Sequence, residues 1–158
     1  MPAKTSHPST AILFIDSHDD DRQYWVHRLR ISSPDYVVLE ASNGAAGLGI
    51  CDTVQVDCVI SELSFPDMSG FEVLLKLVPN PHHPEIAFIF LTRLTLAPMK
   101  DFALKSGAQA YLIKSRSFSE DLDVTVHEVL LNVAPTLKEP KPWARTSLTR
   151  TTHGATSC

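Results

Sequence analysis

Four apolar runs in this sequence end on side chains with chemistry to offer. AILFID ends on Asp16, DCVISE on Glu62, IAFIFLT on Thr92 and AYLIK on Lys114. A carboxylate can act as a nucleophile, and an ammonium attracts an anion or neutralises a neighbouring acid. Glu62 poses the sharpest question, because the chain then turns through Pro66 and Gly70. A carboxylate in that place is reactive, structural, or a stand-in for something reactive. Alone it is equally well read as a solvated strand end. Four such ends in one chain have no structural reason to occur together.

The elements that carry these ends alternate. Apolar runs at Ala11–Asp16, Tyr36–Ala41, Asp57–Glu62, Ile86–Thr92 and Ala110–Lys114 read as strands. Helical patterns lie between them. The first follows Asp19, Asp20 and Asp21, whose charges favour a helix N-terminus, and carries Trp25, Val26 and Leu29 on its apolar face. The second opens at Asn43-Gly44 and runs through Leu48. The third spans Phe71–Leu77 and stops at PNPHHP. The fourth is expected over Met99–Ser106. Ser117 and Glu120 are spaced as a capping box for a fifth, with Leu122, Val126, Val129, Leu130 and Val133 at helical spacing. Strands joined by helical crossovers imply a doubly wound α/β fold, a five-stranded parallel sheet with helices on both faces. In open parallel sheets, sites form at the carboxyl ends of the strands. With the common strand order 2-1-3-4-5, the four polar ends fall on adjacent strands and converge on one edge.

The 158 residues suit one domain. Residues 1–9 read as a disordered lead, 10–133 as the folded domain and 134–158 as a flexible, Pro- and Thr-rich basic tail in which a Trp143-anchored docking segment is a minority reading. A net charge of −4 with 20% charged residues gives no reason to expect a nucleic-acid or membrane surface. No apolar run approaches a membrane span, and no signal core opens the chain, so a cytoplasmic address is expected. Cys51, Cys58 and Cys158 lack metal-type spacing and read as reduced structural thiols. His18 flanks the acidic edge; His27, His82, His83 and His127 read as surface residues.

ILFID, LSFPDMSGFEVL, FLT and SGAQAYLIK together make residues 10–133 resemble the response-regulator receiver domain of two-component signalling. Pro66, Gly70, Phe71 and Glu72 are in register with the family's loop and third helix, and Tyr111 lies three residues before Lys114. The resemblance implies a flavodoxin-like fold. It also implies a third-strand carboxylate that accepts a phosphoryl group from a histidine kinase, first-strand acids that hold Mg²⁺, a Thr and a Lys that contact the phosphoryl group, and an aromatic residue that reorients. Glu62 maps to the phosphoacceptor position, Asp16 and Ser17 to the acid pair, and Thr92, Tyr111 and Lys114 to the switch and phosphate contacts.

Four departures cluster there. Glu62 stands where the family has Asp, and its extra methylene moves the oxygens by about 1.5 Å. A misplacement of about 1 Å can cost phosphoryl transfer roughly a hundredfold. Ser17 replaces a family Mg²⁺ ligand and leaves Asp16 as a weak metal position, so Mg²⁺ binding is expected to be weakened and no cofactor is expected. Asp19, Asp20 and Asp21 are expected to open the first helix rather than compensate. Arg93 is expected to crowd the phosphoryl approach or pair with Glu62. Ser115 follows Lys114 where the family has a cis proline, so a differently shaped loop is expected.

These departures point to a degenerate receiver, a pseudo-receiver. It would be a non-enzymatic signalling module of a two-component or phosphorelay pathway, acting without phosphorylation. Its partner would be a histidine kinase, a phosphotransfer protein or another regulator, engaged through the fourth helix, fifth strand and fifth helix. Too little sequence follows Val133 for a DNA-binding output domain, so output is expected through protein contact. The alternative is a working Mg²⁺-dependent phosphoacceptor that uses Glu62 or another carboxylate. A flavin- or nucleotide-binding sandwich fits poorly, because the acidic DSHDDDR after the first strand would repel phosphate.

Overall fold

A computed structural model describes residues 9–133. The lead at 1–8 and the tail from 134, with Trp143 and Cys158, lie outside the described residues. The strands are β1 (Ala11–Ile15), β2 (Val37–Ala41), β3 (Cys58–Ser61), β4 (Ala87–Thr92) and β5 (Ala110–Ile113). The helices are α1 (Asp19–Ser32), α2 (Gly44–Thr53), α3 (Gly70–Leu77), α4 (Ala97–Lys105) and α5 (Ser119–Asn132). The strands form one parallel sheet in the order β2-β1-β3-β4-β5, the fold expected from the alternating pattern.

Strand periodicity divides the core into two layers. Ile12, Phe14, Cys58, Ile60, Ile89 and Leu91 face one way and pack against Trp25, Val26 and Leu29 of α1 and Leu122, Val126 and Val129 of α5. Leu13, Ile15, Val59, Phe88, Phe90 and Tyr111 face the other way, against Cys51 of α2, Val73 and Leu74 of α3 and Ala103 of α4. Burial on both faces is why β1, β3 and β4 read as unbroken apolar runs. Cys58 is a core thiol within β3, and burial, reinforced by Asp57, pushes it far above its ordinary value.

The boundaries show local chemistry at work. Asn43 caps α2 by accepting from Ala46 N at 2.8 Å, and α2 runs on to Thr53, beyond the stretch expected from Leu48. Asp67 adds a second tie across the loops, accepting from Gly44 N at 3.1 Å and Ala45 N at 2.9 Å. Ser69 and Glu72 form the capping box of α3. The fourth helix starts at Ala97, earlier than expected, because Pro98 fits a first helical turn. Gly107 ends it at φ 113°, where a side chain would be strained.

The expected capping box at Ser117 and Glu120 does not form. A 3₁₀ turn, Lys114–Arg116, takes up the chain after β5 and leaves Ser117 extended, with φ −115° and ψ 137°. The helix therefore starts at Ser119, and it is Asp121 that reaches back, accepting from Phe118 N at 2.6 Å.

Candidate functional site

The ends of β1, β3, β4 and β5 share one edge of the sheet, as their pairing requires. Asp16, Glu62 and Lys114 each lie one residue past a strand, while Thr92 is the last residue of β4. Asp16 is held in place by its backbone, whose N–H donates to Ala41 O at 3.1 Å. The Glu62 N–H donates to Ile15 O at 3.0 Å. Gly70 packs directly under this backbone: a Cβ there would lie 2.3 Å from Glu62 O and 2.9 Å from the Phe90 ring.

Lys114 is the centre of the site. Its Nζ lies 2.6 Å from Asp16 Oδ2, 2.9 Å from Asp21 Oδ2 and 3.0 Å from Glu62 Oε2. An ammonium has three N–H donors, and here three carboxylates surround it. The side chains of Lys114 and Asp16 are 6% and 1% exposed, so these charges interact through little water. Burial pulls the Lys114 ammonium down, but its hydrogen bonds to Asp16, Asp21 and Glu62 outweigh this and hold it above its ordinary value.

The far oxygens of the three acids are also engaged. Asp16 Oδ1 accepts from His18 N at 2.9 Å. Glu62 Oε1 accepts from Leu63 N at 2.7 Å. Arg93 grips Asp21 with two nitrogens, Nη2 to Oδ1 at 2.6 Å and Nε to Oδ2 at 3.1 Å. That bond from Arg93, opposed by burial and helped by Lys114, pushes the Asp21 carboxyl down to about 2. Each of the six carboxylate oxygens thus has a nitrogen partner from the chain itself.

The expectations meet this geometry unevenly. Asp16, Glu62 and Lys114 come together. Thr92 is buried at the same edge, where its hydroxyl accepts from Leu94 N at 3.2 Å. Tyr111 is 7% exposed, and its hydroxyl donates to Leu94 O at 3.0 Å. The expected pairing of Arg93 with Glu62 is not what forms: the guanidinium donates through Nε and Nη2 to Asp21. Asp21 does more than open α1, contrary to expectation, since it brings a third carboxylate to Lys114. Ser17 is half-buried, and Ser115 is exposed in the 3₁₀ turn. No peptide bond is cis among the described residues.

A metal ion in the manner of the family would need these same oxygens. Mg²⁺ requires close, near-octahedral oxygen ligation at about 2.0–2.1 Å. The donor set offers three carboxylates whose inner oxygens are spent on Lys114 and whose outer oxygens are spent on His18, Arg93 and Leu63. As folded, it does not fit the ion.

The sheet order, the strand-end acids and the lysine together point to one family, and comparison with known proteins agrees. The model of the response regulator receiver domain matches residues 12–124. The chain belongs to the response regulator receiver domain family. It is 34% identical over 122 residues to the nitrate/nitrite response regulator protein NarL of Escherichia coli (strain K12), covering 77% of this chain and 54% of that one. It is 25% identical over 118 residues to the two-component response regulator ARR6 of Arabidopsis thaliana, covering 69% and 63%. The receiver thus spans less than two thirds of these curated relatives. Among solved structures it is similar to a response regulator receiver domain protein from Clostridium thermocellum, at 27% identity and a TM-score of 0.68, covering 78% of this chain and 95% of that one. No described helix of the receiver is long and apolar enough to cross a membrane.

Proposed function

We propose that this receiver is a non-enzymatic signalling module whose output does not depend on phosphorylation. The observation that carries this reading is the Glu62–Lys114 pair at 3.0 Å. Glu62 places a permanent negative charge where the family resemblance expects a phosphorylated Asp, and Lys114 answers it. Both oxygens of Glu62 are engaged, one by Lys114 and one by the Leu63 N–H. An acceptor must present a free oxygen in line with the phosphorus, because this chemistry rests on positioning. Thr92, the expected phosphoryl contact, spends its oxygen on Leu94 N. Tyr111, the expected switch residue, is turned inward with its hydroxyl on Leu94 O.

The expected partner is a protein of the same signalling class: a histidine kinase, a phosphotransfer protein or another regulator. Leu96 and Phe118, which cap the starts of α4 and α5 and are 58% and 75% exposed, offer apolar side chains for such a contact. Nucleic acid and membrane are not among the partners proposed.

The test is incubation with Mg²⁺ and acetyl phosphate followed by intact mass measurement, with Glu62→Asp alongside. The natural protein is expected to gain no phosphoryl group. If Glu62→Asp gains one, the extra methylene alone blocks the chemistry. If neither does, Ser17 and Arg93 share the block. A labile phosphate on Glu62 of the natural protein would overturn the proposal and make this a Mg²⁺-dependent phosphoacceptor.

A further inference from the structure

Three inward carboxylates against two cations leave this edge with a formal charge near −1. An open acidic edge of that kind would attract a divalent ion. Here the space between the acids already holds a cation. We propose that the Lys114 ammonium, with Arg93 seated on Asp21, is the resident cation of this site, and that the protein therefore excludes divalent ions that the same three acids would otherwise bind.

Three features support this. First, Lys114 is the common neighbour of Asp16, Asp21 and Glu62, within 3.0 Å of each, so a metal ion and the ammonium compete for one set of oxygens. Second, Asp21 supplies the carboxylate that Ser17 lacks. The acid count is kept, but the new acid comes from the first turn of α1 and arrives with Arg93 attached. Third, the two cations differ in burial. The Lys114 side chain is 6% exposed and that of Arg93 is 71% exposed. Lys114 must therefore supply most of the exclusion, and Arg93, screened by water, a smaller share.

The inference rests on the same reading of the site as the proposed function, and it can fail separately. Mn²⁺ is the probe, followed by electron paramagnetic resonance on the full chain, with Mg²⁺ as competitor. The natural protein is expected to bind Mn²⁺ no better than Asp16→Asn. Lys114→Met is expected to gain Mn²⁺ affinity by at least about tenfold, and its melting temperature is expected to rise when Mg²⁺ is added. Arg93→Ala, at an exposed position that leaves the core intact, is expected to gain affinity by a few-fold. If Lys114→Met does not fold, the titrations of the natural protein and of Arg93→Ala decide.

Mn²⁺ binding by the natural protein that Asp16→Asn or Asp21→Asn abolishes would overturn the inference. So would an unchanged affinity in a folded Lys114→Met or, failing that, in Arg93→Ala. Metal binding without phosphoryl gain would sink this inference alone and leave the proposed function standing. Phosphoryl gain at Glu62 would sink the proposed function.

Discussion

Arg93 holds Asp21 by a two-point clasp, Nη2 to Oδ1 at 2.6 Å and Nε to Oδ2 at 3.1 Å, across 72 residues of sequence. The pair joins the loop after β4 to the start of α1, at the edge where β1 and β3 also end. Because Arg93 lies largely in solvent, its attraction is screened. A double-mutant cycle with Arg93→Ala and Asp21→Asn is expected to show a small positive coupling that shrinks as salt is added. Coupling that does not respond to salt would mean that the pair acts through packing and not through charge.

The Asp21 carboxyl, pushed down to about 2 from 3.8, carries a pH signature. Its folded value lies below its unfolded one, so its contribution is complete above pH 3.8 and is lost as pH falls towards about 2. After screening, no more than about 1 kcal/mol is expected. Urea unfolding of the natural protein and Asp21→Asn between pH 2 and 6 checks this: the gap between the two should close at the acid end. Lys114 has the opposite sign. Its value is raised, so its contribution persists below its ordinary 10.5 and is lost only as pH rises through the higher folded value.

Lys114→Met leaves Asp16, Glu62 and Asp21 with no central cation. Breaking a buried pair by removing one member typically costs about 3–5 kcal/mol. Chemical denaturation in a chelating buffer should show a loss of that order. A loss below about 1 kcal/mol would mean that the acids are better solvated than their exposures of 1%, 11% and 16% suggest.

Gly70→Ala would drive a methyl against Glu62 O and the Phe90 ring. Overpacking of this kind costs about 1–3 kcal/mol. The contacted atom belongs to the backbone that carries Glu62, so the variant should also disturb the Glu62–Lys114 pair. Amide chemical shifts at Glu62, Leu63 and Lys114 would report it; shifts confined to α3 would contradict it.

Tyr111→Phe removes one hydrogen bond, the 3.0 Å donation to Leu94 O, while keeping the ring in the core. A loss of about 1 kcal/mol is expected. Amide exchange should quicken between Thr92 and Leu96 and stay unchanged in β1 and β3.

The sheet was readable because Ile12–Ile15, Val59–Ile60 and Phe88–Leu91 are unbroken apolar runs, and such runs joined by helices have few solutions. Asp16, Glu62, Thr92 and Lys114 were readable because strand ends in a parallel sheet share an edge. Asp21 was not. In Asp19, Asp20 and Asp21 all three acids suit the first turn of a helix, and each step along a helix turns the side chain by about 100°. Which acid faces the sheet depends on where α1 begins, and spacing alone does not say. The available signal was Arg93, a cation beside Thr92 at an acidic edge; the pairing expected for it was with Glu62, and the structure gives it to Asp21. The start of α5 was misjudged for a similar reason, since Ser117 and Glu120 have the right spacing and only the 3₁₀ turn before them shifts the helix to Ser119.

The strand order also sorts the site by how freely its parts can move. Asp16, Glu62 and Thr92 follow or end β1, β3 and β4, each bonded to a strand on both sides. Lys114 follows β5, which is bonded on one side only. To displace Asp16 or Glu62 with its strand, two ladders must open; to displace the ammonium with its strand, one suffices. The charges anchored in the middle of the sheet are the fixed ones, and the charge that answers them rides on its margin. Any partner that pulls at β5 or α5 would therefore uncover the acids by lifting away their counter-ion, without first unmaking the centre of the fold.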